Sequence, residues 1–186
     1  MVPSVLLERA VKYAYERGVT VVAAAGNYFL KGNPTTYPAA YDDYVIAVGA
    51  VRYDGQRAPY ANTGSYIDLV APGGDLTRDQ NRDGYKDGIL QQTFVGNPTQ
   101  FNYYFREGTS IAAAHVAGVV ALLIANGVTH PDDIRIALVS TARGRGRKEW
   151  DEAYGFGLVD AYAALMFDGK TAPSPYLSYE RIAFSR

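Results

Sequence analysis

From Gly108 to Gly127 the chain carries no Asp, Glu, Lys or Arg. The run Gly108-Thr109-Ser110-Ile111-Ala112-Ala113-Ala114-His115-Val116-Ala117-Gly118 continues through Val119-Val120-Ala121-Leu122-Leu123-Ile124-Ala125-Asn126. A helix that is apolar all round is a buried helix, so the stretch demands an interior that takes it on every side. Its alanines and Gly118 let neighbouring backbone approach, which suits a central helix packed against a sheet. Ser110 then stands at the helix N-terminus. Unpaired N–H groups and the positive end of the dipole favour negative charge there, so a serine oxygen is placed as a nucleophile beside an anion site. The plainer alternative is that Thr109 or Ser110 only caps the helix.

The rest of the pattern supplies the sheet. Pro3-Ser4, then Val5, Leu6, Ala10, Val11 and Ala14 at three-and-four spacing, closed by Gly18, predicts a helix over 3–17. Residues 19–25 are a continuous β-branched and small apolar run, the mark of a strand buried on both faces of a parallel sheet. Residues 44–51 repeat that character, and 66–71 form a third strand ending at Pro72. These elements predict an α/β fold, part of a doubly wound parallel sheet with helices on both faces, whose ligand sites gather beyond the carboxyl ends of the strands. Asn27 stands at such an end. Residues 73–106 are too long for an ordinary connection and are expected to be a functional insertion. His130-Pro131-Asp132-Asp133 opens a helix reaching about residue 142, with proline at its first position and acids in its first turn. A last short helix covers 160–166, giving one unit over 1–167 and a tail over 168–186 without usable period. The pattern opens on a helix with no strand before it, so the first strands of the winding are expected to be missing.

Composition narrows the class. At 186 residues the chain is one domain by length, and a net charge of −1 argues against a nucleic-acid partner. The basic cluster Arg143, Arg145, Arg147 and Lys148 is short, flanked by Glu149 and Asp151, and reads as a solvated loop; an RNA-binding reading has only this cluster behind it. With no cysteine there is neither a disulfide framework nor a thiolate zinc site. The apolar run at 109–125 is too short and too rich in small residues for a membrane span, and Met1-Val2-Pro3-Ser4 leads into an amphipathic pattern rather than a signal peptide. Sixteen tyrosines serve equally well as pocket lining or as surface aromatics.

Three motifs in order carry a family resemblance. Gly108-Thr109-Ser110-Ile111-Ala112, followed by His115-Val116-Ala117-Gly118, closely resembles the nucleophile-helix signature of subtilisin-like serine peptidases, with Ala114 where that family usually has proline. Ala23-Ala24-Ala25-Gly26-Asn27 upstream and Tyr154-Gly155, Gly157-Leu158-Val159-Asp160-Ala161 downstream match in the same sequence. The resemblance spans about 2–165 and implies the C-terminal part of a subtilisin-like catalytic domain, secreted or extracellular, acting on polypeptide. In that family the region before such a segment carries the catalytic Asp and His.

Acyl transfer by serine needs a base within hydrogen-bond reach, a group orienting the base, and donors for the oxyanion. His115 lies five residues beyond Ser110, about 500° of rotation and about 7.5 Å of rise away, so it points elsewhere and is expected to be a core residue with its ring nitrogens bonded. His130 sits in a polar loop before a helix. Asn27, given room by Gly26, is the candidate oxyanion donor, although a lone Gly-Asn is ordinarily a left-handed turn. Removing such a donor from subtilisin, itself a member of this family and the measured source of the figure, lowers the rate about 100- to 1,000-fold. The resemblance also implies substrate contact by Gly26 and by the segment Thr36-Tyr37-Pro38-Ala39, which shapes the primary specificity pocket. The chain is therefore expected to hold nucleophile and oxyanion amide, Ser110 and Asn27, without base or orienting carboxylate. Its expected partner is the N-terminal part of the same peptidase domain, either cut from a truncated sequence or carried by the second chain of a nicked or complementing pair.

Inside the insertion, Asp79, Asn81, Asp83 and Asp87 place oxygens at positions 1, 3, 5 and 9 of an EF-hand-type register, with Gly84 at 6 and the Tyr85 carbonyl at 7. Hard oxygens at that spacing suit a structural Ca²⁺. Position 12 is Leu90 rather than a bidentate Glu, and a polar surface turn is the simpler alternative. A non-catalytic, calcium-stabilised binding domain with a subtilisin-like fold is the competing reading of the whole chain.

Overall fold

The computed structural model describes residues 2–144 and 150–168. Ser4 caps the first helix, α1 (Val5–Tyr15), by accepting the Leu7 N–H. Then come strand β1 (Val21–Ala24), a short 3₁₀ turn (Phe29–Lys31), β2 (Val45–Val51) and β3 (Leu69–Pro72). The three strands form a parallel sheet in the order β1-β2-β3, with Val21 opposite Val45 and Val48 opposite Leu69. All seven residues of β2 are buried, as a central parallel strand requires. Its side chains alternate between two cores. Ile46, Val48 and Ala50 face one cluster, with Val116, Val120 and Leu123; Val45 and Ala47 face the other, with Val11, Tyr41 and Ile67.

The second cluster belongs to α1. The first is built by α2 (Thr109–Ala125), α3 (Pro131–Thr141) and α4 (Ala161–Leu165). Helices thus cover both faces of the sheet. Full burial of a side chain such as Leu123 or Leu138 contributes about 1.5–3 kcal/mol. The Tyr15 hydroxyl donates to Asp132 at 2.5 Å and ties the start of α3 to α1; burial first, then the bond to this carboxylate, pushes the Tyr15 phenol up to about 12.

Two expectations need correction, and the insertion gains detail. The third strand begins at Leu69, not at Tyr66, because the Asp68 carboxylate takes the ladder position and accepts the Ala47 N–H at 2.7 Å. The insertion is more than a connection: it holds an antiparallel hairpin of β4 (Ile89–Phe94) and β5 (Phe101–Arg106), turning at Gly96. Helix α2 is not buried on every side. Ala112, Val116, Val119, Val120 and Leu123 pack inward, but His115, Gly118, Leu122 and Ile124 are exposed, because the sheet covers one side only and β1 has no strand beyond it among the described residues. Of the basic cluster, Arg143 pairs with Asp160 at 2.5 Å; Arg145, Arg147 and Lys148 lie outside the described residues, as does nearly all of the tail 168–186.

Candidate active site

Two turns meet at the carboxyl end of the sheet. One follows β1 and presents Asn27; the other leads from β5 into α2 and presents Ser110. Gly108 is the helix cap, so the capping reading of Thr109 or Ser110 does not hold. Thr109, fully buried, donates its N–H to Asn27 Oδ1 at 2.9 Å and its hydroxyl to the same oxygen at 2.7 Å, while accepting the Gly26 N–H at 3.2 Å. Both bonds to Asn27 fall on the carbonyl side of the amide, which turns the Nδ2 donor outward. Asn27 Nδ2 lies 3.2 Å and Ser110 Oγ 3.3 Å from the point a β-carbon on Gly108 would occupy. Amide donor and hydroxyl therefore border one small space, kept open by the absence of a side chain at Gly108, whose φ of 146° also favours glycine. Asn27 and Ser110 are both exposed.

Neither histidine faces this space. His115 is exposed rather than a core residue, its Nδ1 2.9 Å from the Ile111 carbonyl one turn back. His130 caps α3, its Nδ1 accepting the Asp132 N–H at 3.3 Å. Among the described residues neither histidine is hydrogen-bonded to Ser110.

The segment 36–39 lies behind the Asn27 turn. Thr36 donates its hydroxyl to the Ala25 carbonyl, which also accepts from Tyr66 at 3.0 Å, and its methyl is 2.7 Å from where a β-carbon on Gly26 would sit. Thr36 and Ala39 are buried, Tyr37 and Pro38 half-buried, and the Tyr37 ring packs against Tyr41 at 4.8 Å. Gly26 and Thr36 are thus in direct contact, with Tyr37 and Pro38 the more accessible part of the segment.

Reading the sequence missed three residues that hold the turns. Thr109 is one. Asn62 and Tyr60, on the loop between β2 and β3, are the others. Asn62 Oδ1 accepts the Tyr28 N–H at 2.6 Å, and the Tyr60 hydroxyl accepts the Gly108 N–H at 3.0 Å. Burial first of all raises the Tyr60 phenol well above its usual range, so it stays protonated at any working pH. Only Thr109 had a signal, its adjacency to Ser110; the other two bonds span 34 and 48 residues.

The candidate metal loop is closed by its own hydrogen bonds. Asp79 Oδ2 accepts the Gly84 N–H at 3.1 Å, Asn81 and Asp83 bond each other, Asp83 Oδ1 accepts the Tyr85 N–H at 2.8 Å, and Asp87 Oδ2 accepts the Gln80 N–H at 2.5 Å. No three acidic or histidine side chains converge on a metal position among the described residues. Two oxygens nevertheless lack donors: Asp79 Oδ1 and Gln80 Oε1 are buried without a hydrogen-bond partner. An orphaned carboxylate oxygen in an oxygen-rich loop fits a hard cation. Asn81, Asp83 and Asp87 also border a cavity of about 430 Å³ whose floor includes Val51, Ile89 and Phe105.

The structure thus brings together the serine at the head of α2 and the amide after β1 that the sequence singled out. Known proteins narrow this further. The sequence profile of the subtilase family matches residues 3–157, and the chain belongs to that family. It is 38% identical over 165 residues to the thermophilic serine proteinase of Bacillus sp. (strain AK1), covering 87% of this chain and 34% of that protein. It is 37% identical over 164 residues to subtilisin DY of Bacillus licheniformis, covering 87% and 52%. Among solved structures it resembles fervidolysin from Fervidobacterium pennivorans, a keratinolytic enzyme related to subtilisin, with a TM-score of 0.73 and 31% identity over 89% of this chain and 25% of that one. The chain spans about a third to a half of the length of the curated relatives it matches. No described helix is long and apolar enough to cross a membrane.

Proposed function

We propose that residues 1–167 are the C-terminal part of a subtilisin-type serine endopeptidase domain. Ser110 is the nucleophile that takes the acyl group of a peptide bond, and Asn27 donates Nδ2–H to the oxyanion. The observation that carries this reading is the shared space between Asn27 Nδ2 and Ser110 Oγ, with Thr109 holding the amide in the donating orientation. The attacking hydroxyl must lose its proton as the carbon–oxygen bond forms, and the leaving amine must gain one. The family resemblance assigns both transfers to a histidine from the segment that precedes this region in the peptidase domain; neither described histidine is hydrogen-bonded to Ser110. Tyr37 and Pro38 border the bound polypeptide, backed by Gly26, Thr36 and Ala39.

The polypeptide carrying the base and its orienting carboxylate docks on the free edge of β1 and the exposed apolar face of α2, where Leu122 and Ile124 are 50% and 44% exposed. The protein works outside the cell, a reading that rests on family resemblance. Alone, the chain is expected to give negligible peptidase activity and no rapid labelling of Ser110 by a fluorophosphonate. Adding the base-bearing polypeptide is expected to restore stoichiometric labelling, lost again in Ser110→Ala. Rapid labelling of the isolated chain would overturn the division of the active site. Absence of labelling in the complemented protein would favour the non-catalytic binding domain.

Ca²⁺ is proposed for the loop 79–87, held by the side chains of Asp79, Asn81, Asp83 and Asp87 and the Tyr85 carbonyl. The buried, unpartnered Asp79 Oδ1 supports this. A bound cation would fix a loop that otherwise rests on its own short-range bonds.

A further inference from the structure

The reading of Ser110 and Asn27 as an acylation pair raises a problem of alignment. Their turns lie 82 residues apart along the chain, on different elements, yet the amide must stay within hydrogen-bond reach of an atom bonded to the serine. Thr109 joins the two turns directly. A second connection runs through residues 60–62, which touch both turns at once.

On the Asn27 side, the Asn62 N–H donates to the Gly26 carbonyl at 2.9 Å, Asn62 Oδ1 accepts the Tyr28 N–H at 2.6 Å, and the Tyr60 carbonyl accepts the Phe29 N–H at 3.2 Å. Asn27 is thus held by bonds to the residues before and after it, which leaves its own amide for other work. Asn62 is fully buried, and its Nδ2 donates to the Pro34 carbonyl at 2.8 Å, so its side chain has no freedom to release the turn. On the Ser110 side, the Gly108 N–H is shared between the Tyr60 hydroxyl at 3.0 Å and the Gly73 carbonyl at 2.9 Å, and the single Tyr60 O–H lies between the Gly73 and Gly74 carbonyls, at 2.8 and 2.9 Å. Gly108 is the residue whose missing side chain leaves the anion space open.

We infer that Tyr60 and Asn62 are positioning residues that set the separation between oxyanion donor and nucleophile, the half-buried Tyr60 fixing the Gly108 turn and the buried Asn62 the Asn27 turn from one short segment. Neither side chain is hydrogen-bonded to Asn27 or Ser110 itself. They act through the distance between Asn27 and Ser110, and that is the property to test. The inference rests on the acylation reading above.

The experiment is a double-mutant cycle in the full peptidase, complete with the polypeptide that supplies the base. Displacing a reacting group by a fraction of an ångström to 1 Å costs about 10- to 100-fold, so Tyr60→Phe is expected to lower kcat about tenfold and Asn62→Ala about a hundredfold, with KM changed less than about twofold. In an Asn27→Ala background the donor is already gone, and the same substitutions are expected to change kcat less than about twofold. A purely structural role would lower the rate by equal factors in both backgrounds, and that result overturns the inference, as does an unchanged kcat in both single variants. Tyr60→Phe removes one oxygen and keeps the ring packing, so it carries the cycle alone if Asn62→Ala does not fold. Ser110→Ala separates the two levels. Activity surviving that change refutes the acylation reading itself, whereas activity abolished there with equal factors in the cycle refutes only the positioning role.

Discussion

The two turns at Asn27 and Ser110 and the loop at 79–87 are both irregular backbone rich in hydrogen bonds, yet they are built in opposite ways. The bonds that hold the turns join residues 34, 48 and 82 positions apart, through partners that are buried in the cases of Asn62 and Thr109. Most side-chain bonds of the loop join residues 2, 5 and 7 positions apart, largely at exposed positions, the exception being Gln80 Nε2 to Asp54, 26 positions away. A turn held by distant partners acquires its geometry only when the whole sheet has formed, and then it is rigid. A loop held by near neighbours forms early and stays soft until something outside the chain stiffens it.

The largest effect that could break this contrast comes from filling the space at the turns. Gly108→Ala places a β-carbon 3.2 Å from Asn27 Nδ2 and 3.3 Å from Ser110 Oγ at a left-handed φ. It is expected to lower fluorophosphonate labelling of the complemented protein more than about 100-fold and to cost about 1–3 kcal/mol of stability. Gly96→Ala, at the hairpin turn with nothing within 4 Å of the added carbon, is the matched control; it meets only the backbone cost, and labelling is expected to stay within about twofold. Equal losses of labelling in the two variants would remove the distinction between the regions.

A medium effect sharpens the contrast at the loop. At a free concentration about 100 times the dissociation constant, Ca²⁺ bound only to the folded state contributes about 2.7 kcal/mol, or about 5–10 °C in Tm for a chain of this size. Asp83→Ala is expected to abolish that increment in a thermal scan with and without chelator. An increment that survives the substitution would place the cation elsewhere.

The smallest effect is in acid. Burial pulls the Asp54 carboxyl upward, but hydrogen bonds from Arg52, the Gln56 N–H and Gln80 outweigh it and hold the group down to about 2. A folded pKa below the unfolded value contributes stability that is complete above about pH 4 and is lost as the pH falls toward about 2. Because Gln80 belongs to the loop, urea midpoints between pH 5 and 2.5 are expected to fall less steeply in Asp54→Asn than in the parent chain. Parallel slopes would show that this contact between the turn after β2 and the loop adds no pH-dependent stability.

What the sequence made legible follows the same division. The continuous apolar runs at 19–25 and 44–51 announce β1 and β2, although burial on both faces holds only for β2. In the first run Val19 is exposed, Val21, Val22 and Ala24 are half-buried, and only Ala23 and Ala25 are buried. The charge-free run announces α2. Ser110 and Asn27 were readable because each sits at the end of such an element. The start of β3 was not, since a buried Asp68 accepting the Ala47 N–H replaces a piece of ladder with a side chain, which no periodicity records. The open side of α2 was hidden too: an apolar composition states that a face will be covered but not by which polypeptide. Tyr60 and Asn62 left no local trace, because their partners lie at the far ends of two other loops. The hairpin was obscured by the polar, glycine-rich loop before it, although β4 and β5 each run six residues and pair in full register.

The outer side of β1 carries a consequence for handling the molecule. A parallel strand that pairs on one side only among the described residues, next to a helix showing leucine and isoleucine to water, is adhesive toward any extended chain. Expressed by itself, the protein should self-associate as concentration rises, through improvised strand pairing rather than through a symmetric dimer. Co-expression with the polypeptide proposed to cover that side would then act first as a solubiliser, ahead of any chemistry at Ser110.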